Sequence, residues 1–373
     1  MKILILTPHY PPRQGGTSDY VARLCLELKE RGHKVTVITR DGAPIYDAVK
    51  VSVLNGPWSL WSLKSLVNEI SLERPDAILL QYGPYSFNRR GPGIPVVSLV
   101  IMASVITKIP FVVYAHELYA NWNHSYLRAP WHFAQRIAVV LMIFFSKRFV
   151  LTIESRRRRL LHFLPWWRKR LDVISVAPTL DREVIDANWR ASRGIGENTA
   201  LLSAMGTDDP EKGARLLGQI ADALAARKID FRFVTIGGLR PNHPRIESWG
   251  YVSAHDAWNL VATSDLFVLP YDDGVSGRRT SALNALAAGT AILTTYGVNT
   301  DDTLFPRGSI AMVPAGQPME LAKTAVEIFS DSSVRKALRS VSLHLSEQFS
   351  WHKHVMYWET ILRECIDNGT GDR

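Results

Sequence analysis

The chain has 373 residues, of which 46% are hydrophobic, and a formal net charge of +9. This length exceeds what one ordinary hydrophobic core supports and predicts two domains. Cys25 and Cys365 are the only cysteines, which excludes a disulfide framework and a cysteine metal cluster and fits a reducing compartment. The opening MKILILTPHYPP has too short an apolar run for a signal peptide, so we expect no export.

The positive charge is concentrated in the N-terminal half. Residues 1–180 hold 24 Lys and Arg against 11 Asp and Glu, whereas the rest of the chain holds 20 and 24. Such a basic half is compatible with a nucleic acid, an acidic substrate or an anionic membrane. No recognised nucleic-acid motif accompanies it, so we expect no nucleic-acid partner.

Strand-like apolar runs alternate with helix-like segments through the first half. The expected strands are Ile3–Leu6, Lys34–Ile38, Val49–Val53, Ala77–Leu80, Phe111–Tyr114 and Phe149–Thr152, with helices such as Asp19–Arg31 and Trp58–Leu72 between them. Continuous Val, Ile and Leu strands separated by helices are typical of a parallel sheet covered on both faces. Residues 1–180 are therefore predicted to form one doubly wound α/β domain.

The same pattern restarts after a polar stretch that contains Pro178 and residues 191–198. The expected elements are strands at Leu201–Met205, Phe231–Ile236, Leu266–Leu269 and Ala291–Thr294, and a helix at Lys212–Ala226. Residues 181–350 are predicted to form a second doubly wound domain, and residues 351–373 a C-terminal helix.

The segment from Leu269 to Leu293 is the strongest candidate for a binding site. It contains a strand end, a loop of small and polar residues and a helix that opens near Arg279. Ligands of parallel α/β sheets bind beyond the carboxyl ends of the strands, where helix amino termini attract phosphate. The adjacent Arg278 and Arg279 suit bidentate phosphate contacts. A surface loop with two solvated arginines is the alternative interpretation.

Glycines mark a second candidate loop near the N-terminus. Gly15 and Gly16 follow the first strand and precede a helix that Ser18 or Asp19 could cap. Such glycines let a ligand approach the backbone, although a plain turn is the alternative. Without a GxGxxG motif an NAD enzyme is disfavoured.

Three further side chains stand at strand ends. His116 and Glu117 follow Phe111–Tyr114, where a histidine can bind a hydroxyl or assist a leaving group and a carboxylate can orient an acceptor. Lys212, in the GTDDPEKG loop, opens a helix and suits a phosphate as a point charge. A structural histidine and a solvated lysine are the respective alternatives.

Basic and aromatic residues interleave in RRRRLLHFLPWWRKR, residues 156–170. Arginines and tryptophans together suit an anionic membrane surface. A solvated helix with its apolar face in the core is the alternative, and Pro165 breaks any single long helix here. The candidate membrane-surface residues are Arg156, Arg157, Arg158, Arg159, Trp166 and Trp167.

Five segments, in order, resemble glycosyltransferase family four. They are ILTPHYPPRQGGTSDYVARLCLELKERGHKVTVIT, GTDDPEKG, LVATSDLFVLPY, SALNALAAGTAIL and FSWHKHVMYWE. The resemblance implies retaining enzymes with two facing Rossmann-like domains, the GT-B architecture, and a cleft between them. It also implies that the last helix, near Trp351–Ile366, crosses back to brace the first domain.

The resemblance assigns roles to residues of this chain. Gly15 and Gly16 would lie against the donor diphosphate or the acceptor, and His116 near the donor sugar. Lys212 would bind the diphosphate, and the backbone from Arg279 to Ser281 would meet phosphate and sugar. The full candidate set is His116, Glu117 and Asp273 as catalytic residues, with Gly15, Gly16, Lys212, Ser276, Arg278, Arg279, Thr280, Ser281 and Asn284 as donor-binding residues.

This chain departs from the family pattern at charged positions. The two glutamates usually found eight positions apart are Ser276 and Asn284, and the arginine usually five residues before the lysine is Thr207. We expect Asn284 to bind ribose hydroxyls as an amide. Arg278 or Arg279 would replace the missing arginine, and Asp272 or Asp273 the missing carboxylate.

The resemblance implies a retaining glycosyltransferase that moves a sugar from a nucleotide diphosphate sugar to a hydroxyl. The expected acceptor is a lipid-linked glycan of a cell-envelope polysaccharide, and no metal or other cofactor is expected. The enzyme would be cytoplasmic, with peripheral attachment to the inner face of the cytoplasmic membrane as an additional expectation. The alternative is a catalytically weak, transferase-like subunit that supports a partner enzyme.

Overall fold

The computed structural model describes residues 1–43, 49–54, 58–84, 86–87, 93–119, 129–206 and 210–370, without the side chains of residues 129, 210–214 and 368–370. The chain divides into two compact units. Unit 1 comprises Met1–Ser175 and Trp351–Arg373, and unit 2 comprises Val176–Ser350.

The described part of unit 1 forms a seven-stranded, fully parallel sheet in the order β3-β2-β1-β4-β5-β6-β7. Its strands are β1 (Lys2–His9), β2 (Lys34–Asp41), β3 (Lys50–Val53), β4 (Ala77–Tyr82), β5 (Phe111–Ala115), β6 (Arg148–Leu151) and β7 (Leu171–Val173). Every residue of β4 and β5 is buried, which explains their uninterrupted apolar sequence.

Among the described residues of unit 1, five α-helices connect these strands: α1 (Gly16–Glu30), α2 (Leu63–Glu73), α3 (Ile94–Thr107), α4 (Ala129–Phe145) and α5 (Glu154–Phe163). Side chains of α2, α3, α4 and α5 share one core cluster with alternate residues of the central strands, such as Leu80 and Val113. These four helices therefore cover one face of the sheet. Right-handed crossovers place α1 on the opposite face.

The described part of unit 2 has a six-stranded parallel sheet in the order β10-β9-β8-β11-β12-β13. Its strands are β8 (Ala200–Gly206), β9 (Phe231–Gly237), β10 (Ile246–Gly250), β11 (Leu266–Leu269), β12 (Ile292–Tyr296) and β13 (Ala311–Pro314). Its helices are α6 (Trp189–Ser192), α7 (Pro210–Ala226), α8 (Ala254–Thr263), α9 (Thr280–Ala287), α10 (Pro318–Ser330) and α11 (Ser332–Ser346).

The last helix, α12 (Trp351–Thr370), packs against α1 on the unit 1 sheet. Glu359 of α12 accepts hydrogen bonds from Arg31 and His33, and these contacts lower the pKa of Glu359 to about 2. Arg148 Nη2 likewise donates a hydrogen bond to Glu364 of α12 at 2.6 Å. The chain thus returns to its first unit after completing the second.

The predicted fold class, two doubly wound parallel α/β sheets, is confirmed. The sequence pattern missed the edge strands β7, β10 and β13, which are short and only partly buried. None of the described helices combines the length and the apolar character needed to cross a membrane.

Candidate functional site

Strand order places one switch point in each sheet. In unit 2 the chain moves from β8 to β9 on one side and to β11 on the other, and in unit 1 β1 lies between β2 and β4. Loops that leave the two central strands diverge there, which is where open α/β sheets bind ligands.

Residues 207–209, which follow β8 and include Thr207, lie outside the described residues. Lys212 lies in the first turn of α7, and its side chain is also outside them.

Asp273 is the centre of a charge cluster after β11. Its Oδ1 accepts a hydrogen bond from Arg279 Nη2 at 2.6 Å, and its Oδ2 pairs with Arg278 Nη2. Asn299 Nδ2 donates to Oδ2 at 2.8 Å. The side chains of the three charged residues are each less than a fifth exposed. Two guanidinium groups therefore share one carboxylate, and the cluster keeps a net charge of +1.

The charges in this cluster control the ionisation of Asp273. Burial alone would raise the pKa of its carboxyl, but the positive charges of Arg279 and Arg278 lower it to about 2. Asp273 is thus a carboxylate throughout the physiological range. Its lone pairs are directed at the arginines and Asn299, which makes it an anchor for those side chains rather than an accessible base.

Helix α9 begins directly after these arginines. Arg279 is its N-cap residue, no side chain caps the helix, and the Arg279 guanidinium lies 4.4 Å from the centre of the Tyr271 ring. The Tyr271 hydroxyl is 2.7 Å from Ser281 Oγ, and Thr280 and Ser281 form the half-buried first turn. A helix amino terminus beside two fixed arginines can bind a phosphate group through backbone and side chain together.

Gly274 allows this loop to pack closely. It has φ of 89°, and a Cβ at this position would collide with Thr300 Oγ1 and the backbone nitrogen of Gly297. Asn299 N also donates to the Asp273 carbonyl at 2.9 Å. The loop is therefore braced by the turn that follows β12.

Ser276 and Asn284 occupy the positions where the family usually has glutamates. Ser276 is fully buried, and within the described residues its Oγ has no hydrogen-bond partner. Asn284 Oδ1 accepts from Thr179 N at 2.8 Å and Leu180 N at 3.1 Å, while its Nδ2 donates to Thr179 Oγ1. The Asn284 oxygen is thus used to fix the backbone at residues 179–180, and the expected contact of its amide with a ribose stays a prediction.

The glycine loop of unit 1 leaves space beside Gly15. Gly15 has φ of 146°, and a Cβ built on it would meet no atom within 4 Å among the described residues. Helix α1 begins at Gly16 with Gly15 as N-cap. The expected capping by Ser18 or Asp19 is wrong, because both lie inside the first turn and no side chain caps the helix.

His116 stands at the carboxyl end of β5, and its ring is packed on aromatic side chains. Its Nε2 is 2.8 Å from Gln81 Oε1, so Nε2 carries the proton that the Gln81 oxygen accepts. The Tyr114 and Tyr20 rings meet it edge-on at 4.6 and 5.4 Å. Burial lowers the pKa of His116 to about 4, so the ring is neutral at physiological pH. The neighbouring Glu117 is exposed.

A buried network from α12 supports this aromatic group. The Tyr20 hydroxyl is 2.7 Å from His354 Nε2, and Trp358 Nε1 donates to both of them. The pKa of His354 is lowered to about 3, mainly by burial and secondly by the nearby His116. Sequence reasoning missed these residues, although the quoted FSWHKHVMYWE segment contains His354 and Trp358. It also missed Gln81, for which the signal was a polar residue at the end of an apolar strand.

The basic run after β6 is divided by the fold. Arg156 Nη1 donates to the His116 carbonyl at 3.0 Å, and Arg157 Nε donates to the Leu171 carbonyl at 2.9 Å. Trp167 packs against the unit 1 core. These three side chains are partly buried and contact the protein itself, and their expected contact with a membrane stays a prediction. Exposed members of the run include Arg158, Arg159 and Trp166.

Two family models match the chain. Residues 14–177 match the model described as Glycosyltransferase Family 4, and residues 199–331 match the model described as Glycosyl transferases group 1. A comparison with curated protein sequences gives no match.

Solved structures of similar fold cover nearly the whole chain. A glycosyltransferase from Rickettsia africae ESF-5 is 14% identical, with a TM-score of 0.72 over 98% of this chain and 99% of that one. HepE from Anabaena, in complex with UDP and glucose, is 16% identical, with a TM-score of 0.70 over 98% and 100%. WaaG, a glycosyltransferase involved in lipopolysaccharide biosynthesis, is 14% identical, with a TM-score of 0.68 over 99% and 100%.

At these identities the solved structures show a shared fold, and that fold is GT-B. The two family models carry the stronger conclusion, because they match most of the chain and follow the order of its two units. The chain therefore belongs to the GT-B glycosyltransferases, with a first half of the family 4 type and a second half of the group 1 type.

Proposed function

We propose that this protein is a retaining hexosyltransferase that moves a sugar from a nucleotide diphosphate sugar to a hydroxyl of a lipid-linked glycan, in the synthesis of a cell-envelope polysaccharide. The observation that carries the proposal is the arginine cluster at the amino terminus of α9, beyond the carboxyl end of β11. The donor class is supported by HepE, which has been solved with UDP-glucose. The acceptor class is supported by WaaG and its involvement in lipopolysaccharide biosynthesis.

Unit 2 would hold the donor. The leaving nucleoside diphosphate gains negative charge as the glycosidic bond breaks, and groups that meet this charge in the transition state accelerate the reaction. Arg279, Arg278 and the first turn of α9 would supply that stabilisation, together with Lys212. Asp273 would hold both arginines in place before the donor arrives, so that little reorganisation is needed during the reaction.

Unit 1 would supply a neutral hydrogen-bonding group. Because His116 Nε2 donates to Gln81, the neutral ring keeps Nδ1 as an acceptor for a sugar hydroxyl. Glu117 would orient the acceptor hydroxyl, and Gly15 and Gly16 would let the substrate approach the backbone. In a retaining reaction the acceptor attacks on the face from which the diphosphate departs.

A transfer assay tests this proposal. The purified protein is incubated with UDP-glucose and other nucleotide sugars, with and without a lipid-linked glycan extract, and nucleoside diphosphate and glycolipid product are both quantified. We expect acceptor-dependent release of the nucleoside diphosphate and loss of that release in Arg279→Met. The anomeric configuration of the product, read by nuclear magnetic resonance, tests retention, and an inverted product would contradict it.

A second candidate function is a catalytically weak, transferase-like subunit that binds sugar nucleotide and supports a partner enzyme. It is favoured by the chemistry of the two expected glutamate positions and of Asp273, the candidate replacement for a missing carboxylate. Ser276 and Asn284 carry no charge, and Asp273 is neutralised by two arginines. Donor binding without acceptor-dependent transfer or donor hydrolysis would support this alternative, whereas turnover by the purified protein alone would exclude it.

A further inference from the structure

Helix α4 exposes a continuous apolar stripe. Phe133, Ile137, Val140 and Phe144 are spaced by four, three and four residues, which places them on one line along the helix. All four are exposed, Phe133 by 64% and Phe144 by 56%. The opposite side of α4 is buried in the unit 1 core through Ala138, Val139, Met142 and Ile143. The helix is therefore apolar both towards the core and towards solvent.

Helix α3 extends this apolar surface. It packs beside α4 on the same face of the sheet and exposes Met102, Val105 and Ile106. Single exposed apolar residues are normal on a soluble protein, but seven of them on two adjacent helices form a patch of the kind that marks an interaction surface. We name these seven residues the α3/α4 face.

Helices α3 and α4, and the residues that directly follow each of them, carry only basic charges. Neither α3 nor α4 contains an acidic residue, and Glu117 is the only acid between positions 77 and 153. Exposed lysines follow both helices, Lys108 after α3 and Lys147 after α4. Lys147 N donates to the Phe111 carbonyl, which places the end of α4 beside the strand that follows Lys108.

A further basic and aromatic segment is joined to the end of α4. Arg170 Nη1 donates to the carbonyls of Ile143 and Ser146, and this contact ties the turn Pro165–Arg170 to the carboxyl end of the helix. Trp166, Arg168 and Lys169 of this turn are exposed. The apolar face thus has a basic margin that includes a solvent-facing tryptophan.

We propose that the α3/α4 face docks on an anionic lipid bilayer, with both helices lying in the plane of the interface. An apolar helix face bordered by basic residues and an aromatic side chain is the arrangement that binds anionic headgroups and the acyl boundary together. The absence of acids from both helices complements such a surface. Because both helices would lie in the plane of the interface, the attachment would be peripheral. This inference rests on the proposed function, in which the acceptor is a lipid-linked glycan held in the membrane.

The test is vesicle flotation at physiological ionic strength with phosphatidylcholine vesicles, with and without 30% phosphatidylglycerol (about one anionic lipid in three). The apolar variant combines Phe133→Glu and Phe144→Glu, and the charge variant combines Lys108→Glu and Lys147→Glu. The control combines Met356→Glu and Tyr357→Glu on α12, which packs against α1 on the opposite face of the sheet. The Tyr357 residue is 60% exposed there. Thermal unfolding and circular dichroism confirm that each variant is folded.

We expect the wild type and the control to float with anionic vesicles, and the apolar variant to lose at least ~10-fold in partitioning. The charge variant should lose ~5-fold or more for each lysine replaced, and only with anionic vesicles. Unchanged flotation of the folded apolar variant would overturn the proposal. So would a wild type that fails to float but forms a dimer that the apolar variant abolishes, because the face would then bind a second copy.

Donor binding is measured on the same samples by thermal shift, so that the two proposals can fail separately. If the apolar variant keeps its nucleotide-sugar shift but does not float, the docking inference stands and the donor site is intact. If the wild type floats but shows neither a nucleotide shift nor transfer, docking stands and the proposed function fails.

Discussion

The Asp273→Asn substitution tests whether the arginine cluster is organised by one carboxylate. Asparagine keeps nearly the same shape and one acceptor oxygen but removes the negative charge that Arg278 and Arg279 share. Two guanidinium groups that are mostly buried would then repel each other without a counterion. Unit 2 should lose stability, and the arginines should lose their fixed positions at the start of α9.

The size of the effect follows from the ionisation of Asp273. Its pKa is lowered from 3.8 to about 2 in the folded protein. A tenfold change in proton affinity corresponds to ~1.4 kcal/mol, so the charge contributes about 2 kcal/mol to the free energy of unfolding at pH 7. Because the folded pKa is depressed, this contribution is complete above the unfolded value and is lost as the pH falls through the folded value. About half of it remains at pH 3.

Urea unfolding at pH 7, 5 and 3, followed by tryptophan fluorescence, measures this contribution. The wild type should exceed Asp273→Asn by about 2 kcal/mol at pH 7 and pH 5, and the difference should fall by about half at pH 3. Asp272→Asn is the matched control, because Asp272 is an exposed residue of the same loop, and should change stability by less than ~0.5 kcal/mol. Equal stability of wild type and Asp273→Asn, or a difference independent of pH, would show that the Asp273 charge does not stabilise the arginine cluster.

Three other substitutions test the remaining parts of the site. Tyr20→Phe removes a buried hydroxyl bonded to His354 and should cost about 1–2 kcal/mol in urea unfolding, whereas no loss would contradict the network. Asn284→Ala leaves two backbone N–H groups without their acceptor and should cost about 2–3 kcal/mol in the same assay, and a neutral result would remove its structural role. Gly15→Ala meets no steric clash but strains a φ of 146°, so it should lower the melting temperature by a few degrees, for a loss of about 1 kcal/mol; an unchanged melting temperature would show that the loop relaxes freely.

The sequence predicted the fold well where strands are central. Fully buried strands such as β4 and β5 read as continuous apolar runs, and the alternation with helices identified both parallel sheets. The edge strands were harder to recognise. β10 reads IESWG, with exposed Glu247 and Ser248 at its centre, so its pairing with β9 depends on tertiary context that local pattern does not contain.

The position of the site was predictable from the sequence, but the contacts between its side chains were not. The arginines and the start of α9 lie where the sequence placed them, after β11. Side-chain directions across a folded loop decide that Asp273 binds both arginines. They also decide that Asn284 fixes residues 179–180. The partners of His116 come from β4, α1 and α12, and Tyr20 and His354 are 334 positions apart in the chain. Sequence spacing cannot reveal such contacts.

Donor binding by Arg279 and Lys212 is tested by a thermal-shift titration with UDP-, GDP-, dTDP- and CMP-sugars, comparing wild type with Arg279→Met and Lys212→Met. A ligand that binds only the folded state raises its melting temperature, by an amount that grows with the logarithm of the ratio of free ligand to Kd. We expect one nucleotide class to stabilise the wild type and both folded variants to lose this stabilisation. A wild type that no nucleotide sugar stabilises, or an Arg279→Met protein with an undiminished shift, would contradict donor binding by these residues.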